Sequence, residues 1–169
     1  MSGDAPPSVV IVTGVAGTGK TTVGLALAAR LGWSFHDADD LHSPESVDRM
    51  RRNVPLDDAH RQPWLLRVRR LIEDESRRGR GAVVACSALK EVYRRTLTEG
   101  IPGVCLVLLK GDPAVLRERL ERRTGHFAGA GLLESQLAVV EPPDNALVVN
   151  ASLPVDAIVE RIASTIGWG

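Results

Sequence analysis

Short, almost wholly apolar runs punctuate the chain at Val9 to Val12, Ala82 to Cys86, Val104 to Leu109 and Ala146 to Val149, with a weaker one at Trp33 to His36. Their length and β-branched content predict five strands. The clear runs are continuous where a half-exposed strand would alternate, so both faces should be covered, as in a parallel sheet between helices. Between these runs the apolar positions recur at helical spacing. Val23, Leu27 and Leu31 share one face, Leu65, Val68 and Ile72 another, and Val155, Ile158, Val159, Ile162 and Ile166 a third. The β-then-α order predicts a three-layer α/β fold: a five-stranded parallel sheet flanked by helices.

Proline and glycine sharpen the boundaries. Pro63, just before Trp64, is expected to open a long helix, since a first turn tolerates a missing N–H. That helix should end near Arg77 to Gly81, where cations and then glycines suit a helix C-terminus. Two stretches lack core periodicity, about Asp39 to His60 and Gly125 to Gly131. In such a fold they are expected over the strand ends, as substrate-binding and lid elements. No repeat or linker divides the chain, which reads as one domain over 1–169 with a substrate segment at about 39–62 and a lid at about 119–136.

Composition narrows the classes. At 169 residues, 44% of them hydrophobic, the chain can cover one core but not two ordinary ones. Lys plus Arg and Asp plus Glu each number 21, so no net charge favours nucleic acid or an anionic membrane. Anion binding must therefore be local. Cys86 and Cys105 lie in apolar runs and read as small buried thiols. Two such cysteines, an N-terminus without the pattern of a secretory signal, and no run long enough to span a bilayer lead to a cytoplasmic expectation.

The local anion site is legible. Gly14, Val15, Ala16, Gly17, Thr18, Gly19, Lys20 and Thr21 match G-x-x-x-x-G-K-S/T between the first strand and the first amphipathic helix, the context this motif requires. Glycines let backbone N–H groups converge on phosphate oxygens, and the helix start adds positive potential. With Thr22 completing the segment, this predicts a site for ATP, with Lys20 reaching the β- and γ-phosphates and Thr21 turned to Mg²⁺. No Asn is followed by Lys as a guanine-specificity element requires, and no later strand ends in an acidic pair as a motor ATPase would show. A small-molecule kinase is the class that fits.

After the second strand comes His36-Asp37-Ala38-Asp39-Asp40-Leu41-His42, placed on the same rim as the phosphate loop. Residues two apart on an extended segment point the same way, so Asp37 and Asp39 are expected to face one site. Asp37 is assigned to the metal and Asp39 to the attacking hydroxyl. An N-cap or a solvated acidic loop is the plain alternative. His36 and His42 read as loop or packing residues.

The sequence resembles the small P-loop gluconokinase family. The likeness is carried by the phosphate loop, by Asp37 to His42, by Met50 with Pro55-Leu56, Asp58 and Arg61 to Leu65, by Cys86 to Lys90 with Tyr93-Arg94, by Leu109 to Asp112, and by Arg119 to Phe127 with Ser135-Gln136. It departs from the family pattern at Ser46, Asn53, His60 and Leu137. The resemblance implies transfer of phosphate from ATP to the 6-hydroxyl of D-gluconate, in carbohydrate acid catabolism. It also implies a core similar to shikimate and nucleoside monophosphate kinases, and commonly a homodimer.

A gluconate pocket needs a fixed cation for the carboxylate and polar groups for the hydroxyls. Arg61, Lys90 and Arg94 are the candidates, the last two expected four apart on one helix face, with Asp39 and His126 completing the acceptor side. Arg119 and Arg123 are expected to neutralise charge on the transferring phosphoryl as the 119–127 segment closes. A surface cation for Arg94, and a helix C-terminus decorated with cations for Arg119 and Arg123, are the competing readings. Trp64 reads as core. Other acceptors to weigh are shikimate or another small polyol acid; a third reading is a nucleotide-binding regulatory module without an acceptor.

Overall fold

In a computed structural model, residues 5–52, 54–122 and 130–168 are described. Five strands, β1 (Val9–Thr13), β2 (Ser34–Asp37), β3 (Ala82–Ala85), β4 (Val104–Lys110) and β5 (Leu147–Asn150), form one parallel sheet in the order β2-β3-β1-β4-β5. The helices are α1 (Lys20–Leu31), α2 (Pro44–Arg51), α3 (Asp58–Arg78), α4 (Glu91–Thr98), α5 (Pro113–Glu121), α6 (Ala130–Val139) and α7 (Val155–Thr165). A 3₁₀ turn covers Ala38–Leu41.

The pleat of β1 divides the core in two. Val10 and Val12 join Val83, Val107, Leu109 and Val149 under α1 and α7, through Val23, Leu27, Ile158 and Ile162. Val9 and Ile11 face the other way, with Val84 and Cys86, onto Trp64, Leu65, Val68 and Ile72 of α3 and Tyr93 and Leu97 of α4. A continuous apolar strand thus feeds two layers at once. β1 and β3 are wholly buried as the sequence predicts, but the outer strands β2 and β5 are not: Ser34, Val148 and Asn150 are exposed. Each outer strand has a neighbour on one side, so its cover is partial.

Pro63 does not open α3. The helix begins at Asp58, capped by Asp57, whose carboxylate accepts the His60 N–H at 2.8 Å, and Pro63 lies inside it. An interior proline costs about 3 kcal/mol. Burying Trp64, Leu65, Val68 and Ile72 at roughly 1.5–3 kcal/mol each outweighs that, so the core sets the helix and the proline is carried along. The far end follows expectation: α3 stops at Arg78, with Gly79 left-handed (φ 63°). Helix α2 lies in the 39–60 stretch, where periodicity predicts no core helix, and α6 begins at the end of the 125–131 stretch. No helix among the described residues is long and apolar enough to cross a membrane.

Candidate active site

The phosphate loop leaves the buried end of β1 and returns through Gly19, a left-handed residue (φ 87°) at the N-cap of α1. Glycine has no side chain to cap the helix, so the first N–H groups of α1 stay available to an anion. Gly17 is also left-handed (φ 85°), and a Cβ there would stand 3.1 Å from the Leu116 carbonyl. The inner side of the loop closes on itself: Val15 O accepts from the Thr18 hydroxyl (2.9 Å) and from Lys20 Nζ (3.3 Å).

Opposite the loop, the Thr21 hydroxyl donates to Asp37 Oδ2 at 3.1 Å. Asp37 Oδ1 accepts from the Asp39 N–H at 3.0 Å, so the same carboxylate caps the 3₁₀ turn. The extended alternation expected for Asp37 and Asp39 is therefore corrected: Asp37 ends the strand, whereas Asp39 lies in the turn. The two still share a site, because Asp37 bonds the Asp39 backbone and its charge acts on the Asp39 carboxylate. Desolvation by the surrounding chain raises the Asp39 pKa above its ordinary value although the side chain is largely exposed; Asp37 and Asp40 add to this and Lys20 opposes it. Thr21 and Asp37 present hard oxygen donors, the kind Mg²⁺ takes alongside phosphate oxygens. Among the described residues no group of three or more His, Cys, Asp or Glu is placed to hold a metal unaided.

His42 lies under this carboxylate rim, stacked on Trp64 with ring centroids 4.3 Å apart. The indole N–H of Trp64 donates to Ala38 O at 2.7 Å, which accords with the core role read for it. His42 Nε2 stands 3.9 Å from Asp39, and Nδ1 is buried without a hydrogen-bond partner. Burial, then the charges of Arg61 and Arg67, lower the His42 pKa to about 4, with Asp37 opposing. The imidazole is thus neutral near pH 7.

Arg61 and Lys90 converge on a residue the sequence reading did not single out for the site. Arg61 Nη1 donates to the Tyr93 hydroxyl at 2.8 Å, and that hydroxyl donates to Asp58. Both cations lie against the Tyr93 ring, Arg61 at 5.1 Å and Lys90 at 5.4 Å from its centroid. Lys90 Nζ is 3.9 Å from Asp58. Tyr93 thus gathers two cations at one ring, positive charge of the kind a carboxylate takes. Asp58 and Tyr93 are 35 residues apart, and no local spacing signals the pair.

Arg94 is corrected. Lys90 is the N-cap of α4 and not a helical residue, so the shared helix face does not exist. The Arg94 guanidinium is buried and donates to the carbonyls of Ala88, Leu89 and Glu141 and to the Glu91 carboxylate. It is neither a surface cation nor a ligand for an acid in the cleft.

Arg119 reaches the phosphate loop, donating to Gly17 O (3.4 Å) and to Ala151 O (3.0 Å). With Thr22, Val23, Arg122, Leu153 and Val155 it lines a cleft of about 310 Å³ running from the loop. A larger, mostly apolar groove of about 570 Å³ lies across Leu153, against the edge of β5. Arg123, His126 and the 123–129 part of the expected lid lie outside the described residues, as does Asn53.

The family model described as AAA domain matches residues 9–143. The gluconokinase of Gluconobacter oxydans (strain 621H) is 44% identical over 147 residues, which cover 86% of this chain and 83% of that protein. Among solved structures, a sugar kinase from Janibacter sp. HTCC2649 superposes with a TM-score of 0.88 at 38% identity, covering 96% of this chain and 97% of the other. A gluconokinase from Sinorhizobium meliloti 1021 does so with a TM-score of 0.81 at 37% identity, covering 95% and 92%.

Proposed function

This chain belongs to the gluconokinase family, and from that premise we propose that it transfers the γ-phosphoryl group of ATP to the 6-hydroxyl of D-gluconate, giving ADP and 6-phospho-D-gluconate. One observation carries the reading. The Thr21 hydroxyl bonds Asp37 and the Asp37 carboxylate caps the turn that carries Asp39, so the acidic segment meets the phosphate loop, while Tyr93 gathers Arg61 and Lys90 as a separate cationic cluster.

ATP binds with its phosphates along Gly14 to Thr22, Lys20 turned to the β- and γ-phosphates and the base toward the Leu153 and Val155 side of the cleft. Thr21 and Asp37 hold Mg²⁺, which when bound supplies charge neutralisation at the phosphate oxygens. Arg61 and Lys90 take the gluconate carboxylate end, leaving the 6-hydroxyl toward Asp39. That hydroxyl oxygen attacks the γ-phosphorus in line. Its proton passes to the Asp39 carboxylate while the bond to the β,γ-bridging oxygen breaks and ADP leaves. Arg119 and Arg123 offset the charge developing on the phosphoryl, and His126 contributes to the acceptor side. Positioning and charge stabilisation supply most of the catalysis. The protein works as one domain with its substrate segment at 39–62 and lid at 119–136, as a homodimer in the cytoplasm.

An ADP-release assay with Mg²⁺ and ATP across gluconate, other sugar acids, shikimate and nucleosides tests this. Turnover is expected with gluconate. Turnover with shikimate or another polyol acid in its place would reassign the acceptor, and no acceptor-dependent turnover at all would leave a nucleotide-binding module.

A further inference from the structure

Helix α6 joins the two halves of the site. In its last turn the Gln136 side chain reaches the phosphate loop, where the Ala16 N–H donates to Gln136 Oε1 at 2.6 Å, across 120 residues of sequence. Along its length Leu133, fully buried, packs with Leu137 and Val140 against Val15, Leu89, Leu116 and Leu120. Just past the same end of the helix the Glu141 N–H donates to Leu89 O at 2.8 Å. Arg94 closes that junction, with Nη1 on Leu89 O (2.8 Å) and Nη2 on Glu141 O (2.7 Å). Leu89 immediately precedes Lys90. The ring is completed at the root of the loop, where the Ala88 N–H donates to the Thr13 hydroxyl at 3.1 Å.

We propose that Gln136 is a positioning residue, which through α6 and the Arg94 junction holds the phosphate loop in register with the Lys90–Tyr93 acceptor wall. The inference rests on the phosphotransferase reading and adds to it a residue that touches neither substrate. A glycine-rich loop has little conformational preference of its own. Its inner face is self-bonded through Val15 O, whereas the Ala16 peptide is fixed from α6. A guanidinium as buried as that of Arg94 is a costly way to hold a loop. Its planar fork nevertheless joins three carbonyls from two segments, which a neutral side chain of similar volume cannot do. Both anchors act on backbone, so they set where the loop and the wall lie and leave the substrate-facing chemistry to other groups. In-line transfer is sensitive to such placement, since a 1 Å error costs on the order of 100-fold in rate.

The test compares Gln136→Met, which keeps the stem and removes the acceptor oxygen, with Gln136→Glu, which keeps an acceptor oxygen. Amide exchange of the 14–19 segment is read first, on the nucleotide-free protein, so this arm does not depend on which acceptor is used. Exchange at Ala16 should be about tenfold faster in the Met variant and near wild type in the Glu variant. In the second arm the Met variant should lose about tenfold in acceptor-dependent kcat with KM for ATP within about twofold, and a smaller share of the ADP released should appear as phosphorylated acceptor. Equal exchange in wild type and the Met variant overturns the proposal, as does a wild-type kcat. Should the Met variant fail to fold, Gln136→Ala takes its place in both arms. Should wild type not use gluconate, the acceptor reading fails alone: the exchange arm still decides the role of Gln136.

Discussion

Thr21 donates its hydroxyl to Asp37 across 3.1 Å, tying the first turn of α1 to the last residue of β2. The strand that leads into α1, β1, is not a sheet neighbour of β2, because β3 lies between them. The contact therefore brings the nucleotide-holding loop and the acidic segment to one place. Asp37 serves a second purpose, since its other oxygen caps the turn that carries Asp39.

Removing that carboxylate's charge should appear first in the metal dependence. Asp37→Asn keeps one acceptor oxygen for the Asp39 N–H of the turn, and its amide NH₂ can donate to the Thr21 hydroxyl, while the cation site is weakened. The Mg²⁺ concentration for half-maximal activity is expected to rise about 10- to 100-fold, as for other lost metal-site partners. A Mg²⁺ titration at saturating ATP and gluconate measures it; an unchanged midpoint would move the metal elsewhere.

Asp39→Asn should lower kcat by about 10²- to 10⁴-fold, the usual worth of a positioned base, with ADP affinity within about twofold. The same carboxylate predicts a pH effect. Desolvation and then Asp37 raise its pKa, and the base is active when ionised, so activity is lost as pH falls through that raised value. The acid limb of kcat/KM, which reports the free enzyme, should lie above 3.8, the ordinary value, and should vanish in the Asn variant.

His42 predicts a stability change in acid. Its folded pKa is about 4 against 6.5 for the free side chain, so its contribution is complete above pH 6.5. Below 6.5 the unfolded chain takes up a proton that the folded protein refuses, and stability falls until about pH 4. The loss is on the order of 3 kcal/mol. His42→Phe keeps a ring on Trp64 without the titration. Its Tm should decline less than that of wild type between pH 6.5 and 4, and parallel declines would contradict the assignment.

Gly24 lies inside α1, where alanine ordinarily gains up to about 1 kcal/mol over glycine. Here a Cβ would stand 2.6 Å from Cε2 of Phe35, so the ring of β2 must move. Gly24→Ala is expected to destabilise by about 1–3 kcal/mol, as overpacked cores do, with a lower urea midpoint at unchanged slope.

What the chain reveals on reading is what local chemistry compels. Gly14 to Thr21 must be small, basic and hydroxylated to hold phosphate, and Val9 to Val12 must be apolar on both sides, so loop and strand are legible from residue types. Lys90 at a strand's rim is legible in the same way. Arg94 is not, because a cation at a helical position ordinarily faces water; here the carbonyls that surround it come from Ala88 to Leu89 and from Glu141, which the fold alone brings together. Tyr93 hides for a similar reason, its partners Asp58 and Arg61 lying a helix away. In α6, apolar side chains on several faces leave no contrast for periodicity to detect, although Leu133 and Leu137 lie on its packed side. At α3, Pro63 is the louder boundary signal and Asp57 the true one.

The central claim is that the γ-phosphoryl held by Lys20 ends on the terminal oxygen of a sugar acid. Correlating ³¹P with ¹H by NMR, in a mixture of protein, Mg²⁺, ATP and gluconate, tests it most directly. The account predicts a new phosphate ester coupled to the C6 protons, formed in step with ADP, and absent with Lys20→Ala. ADP without that ester, or the ester at wild-type rate from Lys20→Ala, would contradict it.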